Sequence, residues 1–193
     1  MKKGVSLALT AAALAVIVVG GIYSYNLLNP QGGASITSEP SSGGSKNIGR
    51  TKAADFTVQN ADGNITKLSD MLGKPIVLNF WASWCPPCKS EMPEFDKVYK
   101  ELGGSVQFIM IDLTDGSRET VETAETYIRT EGLTLPVFYD TSQDAAIKYN
   151  IRTIPTTFFI NNEGYIINTV GRAIDEDTLR TNINLITAAA APT

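Results

Sequence analysis

Residues Pro75 to Trp81 form a nearly continuous apolar run that leads, within four residues, into Cys85-Pro86-Pro87-Cys88. An uninterrupted run of this kind marks a strand covered on both faces, so the chain needs packed layers on either side of a sheet. Pro86 and Pro87 fit only the first turn of a helix, where the N–H groups they lack would have had no intrahelical partner. The strand therefore gives way to a helix at the two cysteines.

Cys85 and Cys88 are the only cysteines among 193 residues. At i and i+3 in a first helical turn their sulfurs lie close enough to bond, and the positive helix N-terminus favours thiolate over thiol. Covalent haem attachment would need a histidine after the second cysteine, but position 89 is a lysine and the chain has no histidine. A structural zinc site needs about four ligands, so two thiolates would have to recruit carboxylates or a second chain. A purely structural disulfide would close too short a loop to constrain the unfolded chain much. Dithiol–disulfide chemistry makes the best use of the pair, and neither a cofactor nor a metal is expected.

The N-terminus sets where that chemistry takes place. After Met1-Lys2-Lys3, Val5 to Ile22 is 18 residues without a charge. At about 1.5 Å per residue such a helix reaches about 27 Å, just enough to span a bilayer. A cleaved signal peptide also fits a basic start and an apolar run. The small residues Gly32 and Ala34 lie well beyond the run, however, and Tyr23 and Tyr25 suit an interfacial anchor, which favours an uncleaved span. Lys2 and Lys3 precede it and no basic residue follows until Lys46, so the positive-inside bias keeps the N-terminus in the cytoplasm and exports the rest. Residues 1–28 are thus a membrane anchor or signal peptide. Residues 29–50, rich in Gly, Ser and Pro, are a flexible linker, and 51–193 are the folded domain. Without Lys2 and Lys3 the exported part has 14 basic against 20 acidic residues, a net charge of −6 that gives no reason to expect nucleic acid as a partner.

The folded part has the element order of a mixed sheet with helices on its faces. Phe56-Thr57-Val58 and Ile65 to Leu68 flank the turn signal Asp62-Gly63, predicting an opening hairpin. The helix entered at Pro86 should run to about Leu102 and stop at Gly103-Gly104, with Pro93 kinking it. Val106 to Asp112 reads as a second buried strand, joined to the first by a right-handed parallel crossover. A helix is expected over Ser117 to Thr130 with Ser117 as N-cap and Gly132 as stop. A short strand over Pro136 to Tyr139 and a short helix over Asp144 to Tyr149 follow. Thr156 to Ile160 and Tyr165 to Val170 form a closing hairpin, and a last helix over about Asp175 to Ile186 carries Leu179, Ile183 and Ile186 at helical spacing.

This order, the run Val77-Leu78-Asn79-Phe80-Trp81-Ala82-Ser83-Trp84-Cys85-Pro86-Pro87-Cys88, Glu91, Pro93, Thr153-Ile154-Pro155-Thr156 and Gly171 together resemble the thioredoxin superfamily. Within it, the chain is most similar to the exported, membrane-anchored TlpA/ResA-like thiol-disulfide oxidoreductases. The resemblance covers about Ala54 to Thr187. It implies an α/β fold, a thioredoxin-like mixed sheet flanked by helices, with an N-terminal hairpin and a central helical insertion at Thr114 to Leu135.

The resemblance also implies roles. Cys85 is the exposed nucleophile and Cys88 resolves the mixed disulfide, in keeping with their positions at the helix end and a turn further in. Pro86 and Pro87 lack N–H groups, so the first backbone donors open to a Cys85 thiolate are those of Cys88 and Lys89. Pro155 matches a cis-proline beside the cysteines, leaving Ile154 to pair its backbone with a substrate peptide. Thioredoxins proper carry a buried aspartate where this chain has Asn79, which cannot carry a proton. Glu91, on the helix face of Cys88, matches the family's acidic residue and would accept the Cys88 proton, against the plainer reading of a solvent-facing glutamate paired with a lysine. Trp84, with Pro86, would cover the active site and line the substrate groove, whereas Trp81 belongs to the core or groove wall.

The function this implies is a membrane-tethered protein-disulfide reductase on the extracytoplasmic side. Its substrates would be exported disulfide proteins, such as apocytochromes or proteins of the spore envelope. The compartment tends to oxidise thiols, so a membrane electron donor must re-reduce the pair. Two alternatives stand beside it. One is a disulfide-forming oxidase of the same fold, and the other is a client- or metal-binding module without turnover, although copper-delivery relatives of thioredoxin use a histidine this chain lacks.

Overall fold

All six residues of the apolar run Ile76–Trp81 are buried in the computed structural model, which describes residues 51–188. The expected membrane segment and the linker before residue 51 lie outside the described residues. In chain order the elements are β1 (Thr51–Lys52), β2 (Thr57–Gln59), β3 (Ile65–Lys67), a 3-10 turn (Leu68–Met71), β4 (Ile76–Trp81), α1 (Pro86–Leu102), β5 (Gln107–Asp112), α2 (Val121–Thr130), β6 (Val137–Tyr139), α3 (Asp144–Lys148), β7 (Thr156–Ile160), β8 (Tyr165–Val170) and α4 (Glu176–Ala188).

The strands form one mixed sheet in the order β1-β8-β7-β4-β5-β6-β2-β3. β4 lies at its centre, parallel to β5 from Ile76↔Gln107 to Trp81↔Asp112 and antiparallel to β7 from Ile76↔Ile160 to Phe80↔Thr156. Alternation along the strands divides the core in two. Val77 and Trp81, with Phe108 and Met110, pack against Cys88, Met92 and Phe95 of α1, Ala124 of α2 and Leu179, Ile183 and Ile186 of α4. Ile76, Leu78 and Phe80, with Ile109 and Ile111, pack against Phe56 and Val58, Ala145 of α3, Tyr149 and Phe158. Asn79 is the polar member of β4, on the side that faces α1, and it is fully buried.

Several boundaries differ from the sequence reading, and one strand is added. Helix α2 starts at Val121, not Ser117, and its N-cap is Thr120, whose hydroxyl accepts the Thr123 N–H at 3.1 Å while Thr123 Oγ1 accepts the Thr120 N–H at 2.9 Å. Residues 115–119 are held instead by Asp115, whose Oδ1 accepts the N–H groups of Ser117 and Glu119 at 2.7 and 2.9 Å. An aspartate bonding its own downstream backbone outcompetes an early helix start. The opening hairpin leaves its second strand at Lys67, and Leu68 begins the 3-10 turn with its side chain buried. Its loop is closed by Asn60, whose Oδ1 takes the N–H groups of Asp62 and Asn64, with Gly63 at φ +82°. β1, absent from the sequence reading, adds an edge by pairing Thr51 with Ile166 and Lys52 with Tyr165. Helix α1 continues through Pro93 to Leu102 and is capped by Gly103, whose N–H donates to the Tyr99 carbonyl.

Candidate active site

The turn between β4 and α1 places the cysteines. The Cys85 N–H donates to the Ala82 carbonyl at 3.1 Å, which folds Ala82 to Cys85 back at the end of β4. Cys85 is the N-cap of α1, with φ −91° and ψ 107°, and Pro86 and Pro87 occupy the first two helical positions. Because those prolines offer no N–H, the first donor past the cap is the Cys88 N–H, which meets Cys85 Sγ at 3.2 Å. The Lys89 N–H, the other expected donor, is spent on the Cys85 carbonyl at 3.0 Å in the ordinary helical pattern. Cys85 and Cys88 are joined by a disulfide with their Cα atoms 5.3 Å apart.

The expectation of an exposed nucleophile needs correction. Cys85 is only 3 % exposed in this disulfide form, and Cys88 is 0 %. The Cys85 sulfur lies 3.8 Å from the Ile154 carbonyl oxygen and belongs to the core cluster behind the helix. The exposed surface here is that of Trp84, Pro86 and Pro87. Cys85 still keeps the outer position of the pair.

Ile154 is half-buried and Pro155 buried, and the bond between them is cis. The β4–β7 ladder begins only at Thr156↔Phe80, so Ile154 lies beyond the last paired residue with its carbonyl against Cys85.

Glu91 is 1 % exposed, so the reading of a solvent-facing glutamate is overturned. It sits one turn after Cys88 on the buried face of α1. Asn79 Nδ2 donates to its Oε1 at 2.9 Å and the Ile174 N–H to its Oε2 at 3.0 Å. Asn79 Nδ2 also donates to Thr157 Oγ1 at 3.0 Å, so the residue that cannot carry a proton orients the one that can. Burial pushes the Glu91 carboxyl up from its ordinary 4.5 to about 7, against the lowering effect of the Ile174 and Asn79 donors. A carboxyl poised there exchanges a proton readily at neutral pH.

A second acidic cluster escaped the sequence reading. Asp112, the last residue of β5, and Glu119 are both fully buried. Thr114 Oγ1 donates to Asp112 Oδ1 at 2.6 Å, and Ser83 Oγ, two residues before Cys85, donates to Glu119 Oε2 at 2.9 Å. Burial first, and then the charge of Glu119, push Asp112 up to about 8, with the Thr114 bond opposing. The only local signal was a charge closing an otherwise apolar strand. The partners of Ser83 and Trp84 come from a segment more than thirty residues away that no periodicity connects to them. Among the described residues no group of three or more cysteines and carboxylates converges as a metal's ligands would.

A bonded cysteine pair capping a helix beside a cis-proline edge, with a buried carboxyl one turn on, defines a thiol-disulfide oxidoreductase of thioredoxin fold. The chain belongs to the AhpC/TSA family, whose profile matches residues 50–169. It is 31% identical over 135 residues to the thiol-disulfide oxidoreductase ResA of Bacillus subtilis (strain 168), covering 69% of this chain and 73% of that protein. It is 37% identical over 139 residues to the ResA of Oceanobacillus iheyensis, covering 68% and 69%. Among solved structures it is similar to StoA from Bacillus subtilis, with a TM-score of 0.59 and 30% identity over 67% of this chain and 96% of that one.

Proposed function

We propose that the chain is a membrane-tethered protein-disulfide reductase acting on exported proteins, apocytochromes among them, through the Cys85–Cys88 pair. The Cys85 thiolate attacks one sulfur of a substrate disulfide held against Ile154, forming a mixed disulfide and expelling the other substrate sulfur as a thiolate. Glu91 takes the Cys88 proton, and the Cys88 thiolate attacks Cys85 Sγ, closing the Cys85–Cys88 bond and releasing the second substrate sulfur. Two electrons pass from protein to substrate, and a membrane electron donor returns them.

The observation that carries this reading is buried Glu91 one turn beyond Cys88, oriented by Asn79 and the Ile174 N–H. Glu91 can take the Cys88 proton when the protein gives up electrons and return it when the protein takes them up, so it supports exchange at this pair, and the reductase direction follows the likeness to ResA. Lys2, Lys3 and the uncharged run Val5 to Ile22 support an N-terminal anchor with the domain on the extracytoplasmic side.

Equilibration with glutathione buffers tests the direction. The reductase reading expects a potential well below the glutathione poise of an oxidising compartment, at about −200 mV. A value near that of the strong oxidants, about −120 mV, would reverse the assignment to an oxidase. Labelling intact cells with a membrane-impermeant thiol reagent after mild reduction tests the location. Cys85 is expected to react, and protection until lysis would contradict the topology.

A further inference from the structure

The segment between β5 and α2 touches the Cys85 turn at two successive residues. Glu119 anchors Ser83, and the guanidinium carbon of Arg118 lies 3.6 Å from the centre of the Trp84 ring. Glu119 is fully buried and Ser83 half-buried, whereas Arg118 is exposed and Trp84 is 37 % exposed beside Cys85. A guanidinium stacked by its face on an indole keeps its N–H edges free for a carboxylate.

Two more cations are tied to the same elements. Exposed Lys89, in the first turn of α1, sits 5.1 Å over the Tyr127 ring, and exposed Arg152 comes two residues before Ile154 with its Nε donating to Asn150. Among the described residues, none of the three is in an ion pair. The nearby carboxylates are occupied or withdrawn. Glu91, Asp112 and Glu119 are buried, and exposed Asp115 has its Oδ1 taken by the N–H groups of Ser117 and Glu119. A domain of net negative charge thus carries three cations outside any ion pair on segments that bear, or contact, the cysteine turn and the Ile154 edge. Such a local field attracts an acidic segment to the reactive cleft while the rest of the surface repels it.

We propose that Arg118, over the face of the Trp84 ring, is a specificity-determining residue that receives an aspartate or glutamate flanking the substrate's cysteine. Lys89, four residues after Cys85, and Arg152, two before Ile154, add positive charge to the segments that carry the cysteine pair and its peptide edge. The proposal rests on thiol-disulfide exchange at Cys85, not on its direction.

Two peptides, each with one intramolecular disulfide flanked by two aspartates or two lysines, provide the test. The full-length protein in its dithiol form is mixed with each, and second-order rate constants are followed by tryptophan fluorescence. The aspartate peptide is expected to react about tenfold faster at low salt, the advantage shrinking to about twofold at 0.5 M salt. Arg118→Gln should bring the low-salt ratio down to about two, and Arg118→Lys should fall between. Each ratio is taken within one variant, so a general loss of activity cancels. A wild-type ratio of one or below, or a ratio unmoved by Arg118→Gln, would overturn the proposal. If the protein proves to be an oxidase, the same pair as dithiols against its disulfide form must show the same preference. Failure of both peptides in both directions would sink exchange itself, and the specificity with it.

Discussion

Glu91 links the chemistry of the site to its stability. Folded, it holds its proton to about pH 7, whereas an unfolded glutamate releases it near 4.5. Its contribution is therefore intact below pH 4.5 and is lost as the pH rises to 7, by on the order of 3 kcal/mol. Glu91→Gln abolishes that loss. In urea unfolding across this range, the stability of the variant relative to wild type should climb from pH 4.5 to 7 and then level off. A parallel pair of curves would show that Glu91 is not ionising in the fold. The same substitution should remove an inflection near pH 7 from the rate of dithiol oxidation, measured by stopped flow. An unaltered pH profile would take the proton from Glu91 and leave it a structural role.

At the scale of elements, the caps can be tested separately. Thr120→Ala removes the hydroxyl that accepts the Thr123 N–H and should cost about 1 kcal/mol in urea unfolding, while Ser117→Ala should change stability by less than about 0.5 kcal/mol. The reverse order would restore the longer helix. β4 and α1 were legible in the sequence because local physics fixes them: a run with no polar face, and prolines that only a first turn tolerates. The start of α2 was not, because Asp115 captures the backbone of Ser117 and Glu119 before a helix can form. The pairing of Ser83 with Glu119 and of Trp84 with Arg118 was not legible either, since only the parallel placement of β4 beside β5 brings those loops together. Burial of Glu91 was likewise hidden, because a glutamate at helical spacing suits either face until the sheet beneath it is known.

Across the whole domain the two core layers meet in β4, so a vacancy there should be felt throughout. Phe80 is fully buried, its ring 5.6 Å from Tyr149 and 5.9 Å from Phe158. Phe80→Ala should destabilise the domain by about 3–5 kcal/mol in urea unfolding, and a loss below about 1 kcal/mol would contradict that packing. Deleting residues 1–28 should shift the protein from the membrane to the soluble fraction while preserving insulin-disulfide reduction with dithiothreitol. Retention on membranes would refute the anchor. The central claim is that Cys85 attacks and Cys88 resolves. In cells carrying Cys88→Ala, exported proteins should accumulate as mixed disulfides on Cys85, released by dithiothreitol and absent from Cys85→Ala. Equal adducts through Cys88 in the Cys85→Ala protein, or none in either, would contradict it.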